Sequence, residues 1–273
     1  MYKLNEEQYA RVQPLYESLR FNLLVDSVID GNTPAWVFAD DIENPRTALI
    51  WNRQDALLLA GDTENDEINT SLGDVIARQI IPDAHRRRIP GHALIYSPAD
   101  WESKVTLLLP GLKLEKAQRR YYTSAQLRLS WQDHLPAGYM MSPLDTGLLE
   151  NPNLANIHPP AGGVLSFWRS IHDFASTGFG YCILEGDTVA AWCLTVYASG
   201  NDYELGLATM PAYRNRGLAT LVASACLEHC AVNGFKPHWH CWDDNLPSIA
   251  VAEKTGFENP VKYTVIRFDN GLQ

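Results

Sequence analysis

From Gly180 onward the chain alternates between extended and helical patterns in an order that leaves few folds open. Gly180–Glu185 (GYCILE), Val189–Tyr197 (VAAWCLTVY) and Asp202–Thr209 (DYELGLAT) read as three successive strands, the first two joined by a hairpin turn at Glu185–Thr188. A helix follows over Gly217–Val232. Asn233-Gly234 ends it, because glycine suits the left-handed closing position. Pro237–Trp242 (PHWHCW) reads as a fourth strand, Pro247–Thr255 as a short helix and Lys262–Phe268 (KYTVIRF) as a final strand. Three strands, helix, strand, helix, strand is a mixed α/β layer arrangement.

Ahead of this stretch the signals are sparser. Residues 1–30 carry helical spacing, with Tyr9, Val12, Leu15, Tyr16 and Leu19 on one side. Ala48–Trp51 and Asp55–Ala60 read as short strands, and Ile68–Ile81 as a helix stopped by Pro82. Ala93–Ser97 reads as a strand followed by a helix from about Pro98 to Leu108. Arg119–Ser130 reads as a further strand. Leu135–Pro160 holds five prolines and is expected to be a connection with one or two helical turns. A helix is expected over Ser166–Ala175. A chain of 273 residues favours two domains, drawn as a smaller α/β domain over 1–126 and a mixed α/β domain over 127–273. No internal repeat is visible.

Composition narrows the function. A net charge of -10 argues against nucleic acid as a partner, since phosphate-backbone binders need a basic footprint, and is compatible with a cationic substrate. The run His85–Arg88 (HRRR) is read as a solvated loop. The start of the chain has no basic segment leading into an apolar one, and no long apolar run occurs. Neither a secretory signal nor a membrane span is expected, and the cytoplasm follows as the expected location. All 5 cysteines lie in the second half without a CxxC pair and are read as buried reduced thiols, so no metal is expected.

The sharpest signal is Thr209–Thr220 (TMPAYRNRGLAT), where a strand ends and a helix begins. Amides at the first turn of a helix have no intrahelical partner, and the helix dipole adds partial positive charge there. Such a turn is an anion cradle. Gly217 has no side chain, so a pyrophosphate can approach the backbone, and Ala219 is small for the same reason. Arg214 and Arg216 can add charge-assisted contacts.

These residues resemble the GNAT N-acetyltransferase superfamily. Its coenzyme A loop has the pattern Arg/Gln-x-x-Gly-x-Gly/Ala, present here as Arg214-Asn215-Arg216-Gly217-Leu218-Ala219. Pro211-Ala212-Tyr213 matches the usual lead into that loop, and Asn245 to Ser248 with Ala252 to Phe257 match the second block. Within the superfamily the likeness is to a two-domain group that includes zwittermicin-type resistance acetyltransferases. The first domain is left open as a decayed copy of the same fold.

The resemblance implies acetyl-CoA as co-substrate and a small-molecule amine as acceptor, with no membrane partner and with a homodimer left open. It implies that the strand ending at Thr209 parts from Pro237–Trp242, and that a pantetheine arm meets the backbone around Leu207, Ala208 and Thr209, with an oxyanion-stabilising amide near Ala208. Arg214, Asn215, Arg216, Gly217, Leu218, Ala219 and Thr220 would hold the pyrophosphate. Asn245 and Ser248 would touch the coenzyme or start the last helix. Glu204 is the candidate base. Relatives place a tyrosine acid seven residues after the asparagine, where this chain has Ala252, so Tyr263, His240, Cys241 or solvent would have to substitute. That departure keeps two alternatives open: a non-catalytic acyl-CoA sensor, and transfer of a longer acyl group of the glycine N-acyltransferase kind.

Overall fold

The computed structural model describes residues 1–123 and 125–271. Its strands run in chain order as β1 (Tyr2–Lys3), β2 (Trp36–Ala39), β3 (Thr47–Trp51), β4 (Ala56–Gly61), β5 (Gly91–Ser97), β6 (Leu114–Tyr122), β7 (Tyr139–Pro143), β8 (Gly180–Glu185), β9 (Thr188–Ser199), β10 (Asp202–Thr209), β11 (Lys236–Trp242) and β12 (Val261–Asp269). Two compact units form: Met1–Ala117 with the tail from Thr264, and Gln118–Tyr263. These bounds differ from a cut at 126/127. β6 begins in the first unit and ends in the second, and the second half of β12 returns to the first.

In the first unit the strands lie in the order β1-β2-β3-β4-β5-β12, with β4 and β5 parallel and the other pairs antiparallel. β12 closes it by pairing Ile266 with Leu94 and Asp269 with Gly91. β3 is buried at every residue, which matches its continuous apolar reading. Its core joins Phe38, Leu49, Trp51, Leu59, Trp101 and Phe268. The amino-terminal helical segment is a 3-10 helix over Glu6–Leu19, with Tyr9, Val12, Tyr16 and Leu19 buried. Pro82 does not stop its helix. Asp66–Val75 runs into a π turn at Ile76–Ile80, and Pro82 then sits in the first turn of Ile81–Arg86, where its missing N–H costs nothing.

The second unit repeats that design. Its strands lie in the order β7-β8-β9-β10-β11-β6, and β10 and β11 form the parallel pair. The last strand is supplied by β6, which pairs Tyr122 with Trp239 and Arg119 with Trp242. The helix Leu218–Asn233 covers one face through Leu221, Val222 and Cys226, against Cys193, Leu205 and Trp239. The last helix, Leu246–Thr255, ends at Gly256 with φ +118°, where a Cβ would lie 1.8 Å from the Gln126 carbonyl oxygen. Only glycine lets that backbone approach. Two expectations change here. The proline-rich stretch contains β7, and Ser166–Ala175 is two helices, His158–Phe167 and Ile171–Thr177, the second capped by Ser170 accepting from the Asp173 amide. No helix among the described residues is long and apolar enough to cross a membrane.

Candidate active site

β10 and β11 pair only at Asp202↔Lys236, Tyr203↔Pro237 and Glu204↔His238, although both strands continue beyond. The parting coincides with a shift of register against β9 between Glu204 and Leu205, which leaves Val196 as the extra residue. Past that point β10 stays paired to β9 alone. The Met210 amide donates to the Ala190 carbonyl at 2.9 Å, and the Thr195 amide donates to Phe179 on the β8 side at 2.9 Å. An antiparallel ladder alternates. The main-chain groups of Gly206 and Ala208 therefore face β9, and those of Leu205, Leu207 and Thr209 face the gap. The outward amide nearest Ala208 belongs to Leu207 or Thr209.

Below the gap lies a cavity of about 710 Å³. Leu207, Ala208, Thr209, Arg214, Asn215, Gly217, Leu218, Ala219 and Thr220 all line it, as do Asn245 and Ser248. At its mouth the loop turns on two left-handed residues, Asn215 at φ +62° and Gly217 at φ +79°. Gly217 is the N-cap of Leu218–Asn233 and supplies no side-chain cap. A Cβ added there would meet nothing within 4 Å, so the space above this helix start is open. The main chain here fits a pyrophosphate. The Thr209 hydroxyl, buried in the same wall, has no hydrogen-bond partner within the protein.

The two arginines differ. Arg214 lines the cavity, and its Nε lies 3.4 Å from the Thr209 carbonyl. Arg216 is not part of the lining. Its guanidinium donates to the Tyr139 hydroxyl at 2.8 Å and to the Ala212 carbonyl at 2.9 Å, and it lies over the Tyr213 ring. Asn245 caps the last helix by accepting from the Ser248 amide at 3.2 Å, and the Ser248 hydroxyl accepts from the Trp239 indole at 3.1 Å. Both therefore hold the cavity wall in shape.

Glu204 and Tyr263 meet around His240. Side chains on a strand alternate between faces. Trp239 and Cys241 point into the core beneath Leu218–Asn233, and His240 points the other way, with Glu204. His240 Nδ1 lies 3.4 Å from the Tyr263 hydroxyl and 4.0 Å from Glu204 Oε2, and both His240 and Glu204 are almost wholly buried. Cys241 sits among apolar side chains, and burial pushes its thiol up. Ala252 is fully buried beneath the same helix layer, so no phenol is present at the place relatives use. Among the described residues no three His, Cys, Asp or Glu side chains gather as a metal site. The sequence alone marks His240 only as one of several substitutes for the missing tyrosine, because its surroundings depend on three strands arriving at one point.

Comparison with known proteins bears on the whole chain. A family model described as GNAT acetyltransferase matches residues 13–266. The Bacillus subtilis (strain 168) protein YdfB, named as an uncharacterized N-acetyltransferase, is 27% identical over 265 residues, spanning 96% of this chain and 97% of that protein. The crystal structure of a GCN5-related N-acetyltransferase-like protein from Streptococcus suis 89/1591 matches with a TM-score of 0.69 at 20% identity, covering 96% of this chain and 98% of the other. A tandem GNAT protein from the clavulanic acid biosynthesis pathway matches with a TM-score of 0.56 at 13% identity, covering 99% and 98%. The two structures carry the fold, and the family match runs through both units rather than over the cradle alone. The chain belongs to the GNAT acetyltransferase family.

Proposed function

We propose that this protein transfers an acetyl group from acetyl-CoA to a primary amine of a small molecule by direct attack, with the second unit as the catalytic domain. The observation that carries the reading is the parting of β10 from β11 directly above an uncapped helix start. Acetyl-CoA supplies the activated thioester. The first-turn amides at Gly217, Leu218 and Ala219, with Arg214, hold its pyrophosphate. The outward main-chain groups of Leu207 and Thr209 hold the pantetheine arm, and an outward amide there stabilises negative charge on the carbonyl oxygen during attack. An alkylamine is mostly protonated at neutral pH, so a proton must leave before attack. Glu204 supplies the carboxylate that drives this loss, and Tyr263 stands beside it in place of the tyrosine missing at Ala252.

The deciding experiment has two arms. Calorimetry with free coenzyme A tests the cradle, and turnover with acetyl-, propionyl- and benzoyl-CoA over an amine panel tests the chemistry. Binding with acetyl-CoA-preferring turnover is expected. Binding without turnover on any amine would leave a sensor, and preference for benzoyl-CoA would move the assignment to longer-chain transfer.

A further inference from the structure

We propose that the first unit carries an anion site of its own, built by Lys3, Arg53, Arg86 and Arg87 around Asp83, and that it takes a soluble multivalent phosphate chain. The run His85–Arg88, expected as a solvated loop, leads to it. That run is tied down: His85 Nε2 lies 2.7 Å from the Asn270 carbonyl oxygen, Arg86 donates to Asp83 at 2.8 Å, and Arg87 donates to the Arg53 carbonyl at 3.0 Å. Arg53, on the turn between β3 and β4, reaches the same Asp83 carboxylate at 3.2 Å. Lys3 of β1 joins through Trp36, whose ring centroid lies 3.4 Å from the Lys3 ammonium and 5.2 Å from the Arg53 guanidinium.

Four cations thus gather about one carboxylate, in a chain whose net charge is -10. Asp55, two residues along the turn from Arg53, neighbours His92 and pairs with none of the four. Lys3 and Arg87 form no ion pair among the described residues. Burial and then the Arg53 charge lower the pKa of both, so the cluster is crowded with like charge. Arg53 and Arg88 also stand at φ +56° and +59°, where glycine or asparagine would sit at less cost. Like charges held this close repel, and an anion among them reverses the sign of the interaction.

The donors set the class of ligand. Arg53 and Arg86 each give Asp83 only Nη2. Arg53 Nε is covered, which leaves Nη1 as its outward group. Arg86, with 67% of its side chain exposed, presents the rest of its fork. Such forks suit phosphate oxygens, and an excess of three positive charges suits several phosphates in a row. The Trp36 ring already carries Lys3 and Arg53 and makes edge contacts with Phe38 and Trp51, which argues against a stacked base and so against a nucleotide.

The test is calorimetry of the full chain with inorganic tripolyphosphate at constant ionic strength, with sulfate as the control for screening. The coenzyme cradle is taken out of the readout by adding excess coenzyme A to the wild type and, separately, by using Arg214→Gln. One tripolyphosphate per chain is expected in both. Lys3→Gln and Arg87→Gln should each weaken it by about tenfold, the worth of one charge-assisted hydrogen bond, and leave coenzyme A binding unchanged. Tripolyphosphate should also raise the melting temperature of the wild type and raise that of either variant less. No binding by the wild type overturns the proposal. Binding that is lost in Arg214→Gln but kept in both other variants overturns it too, because the cradle would then be the site. A response to duplex DNA or an acidic peptide without one to tripolyphosphate overturns it in favour of a macromolecular surface. Failure of coenzyme A to bind would count against the acetyl-transfer reading alone, since the tripolyphosphate result in Arg214→Gln does not depend on it.

Discussion

Thr209 and Gly217 make opposite cases at the scale of one residue. A buried hydroxyl without a partner destabilises, and an isostere lacking it relieves that cost. Thr209→Val should therefore leave the melting temperature unchanged or raise it, while weakening coenzyme A binding by about tenfold, the worth of one hydrogen bond. A fall in both would show the hydroxyl to be structural. Gly217 is the converse case. Its φ of +79° costs an alanine about 1–2 kcal/mol, yet the added methyl meets nothing within 4 Å. Gly217→Ala should lower stability by that amount in thermal melts and lower coenzyme affinity as well, since the methyl enters the approach path. The motif around these residues was legible in the sequence because its physics is local: a strand end, a glycine and a helix start within a dozen residues. His240 was not, because its neighbours come from β6, β10 and β12, and nothing near position 240 encodes that meeting.

Elements were legible where their pattern was strong. β10 was read with its observed bounds and β11 within one residue. β2 and β7 escaped because four or five residues without alternation, one set ending at Pro143, carry no period to detect. Pro82 misled because a π turn ahead of it restarts the helix. At the end of β11, Asp243 ties three elements: Lys262 of β12 donates to it at 2.9 Å, and Arg120 of β6 pairs with its other oxygen. The hydrogen bond from Lys262, with that from Arg120, holds its carboxyl below the usual carboxylate range. A depressed pKa gives stabilisation that is complete above the unfolded value and is lost as pH falls through the folded one. Asp243→Asn should therefore lower the melting temperature at neutral pH, and the gap to wild type should close in acid. A gap that persists there would assign the effect to packing instead.

At the scale of the molecule, two units share one strand order but differ in the seam between their parallel strands. In the first unit β4 and β5 stay paired from Ala56↔Ala93 to Ala60↔Ser97, five registers without a break. The helix after β4 is capped by Asn65 and opens with Asp66 and Glu67, which repel an anion. One coenzyme per chain is the expected stoichiometry by calorimetry, and two would show that this seam opens in solution. The repeat was invisible in the sequence because sheet order and register are set by burial patterns that many residues satisfy equally well.

The return of β12 to the first unit also bears on how the protein is made. A ribosome delivers Met1 to Ala117 first, but the strand that covers the flank of β5 follows the whole second unit in the chain. Until β12 has been synthesised, the nascent chain carries an open sheet border able to capture other strands. The first unit, begun before the second, is completed after it.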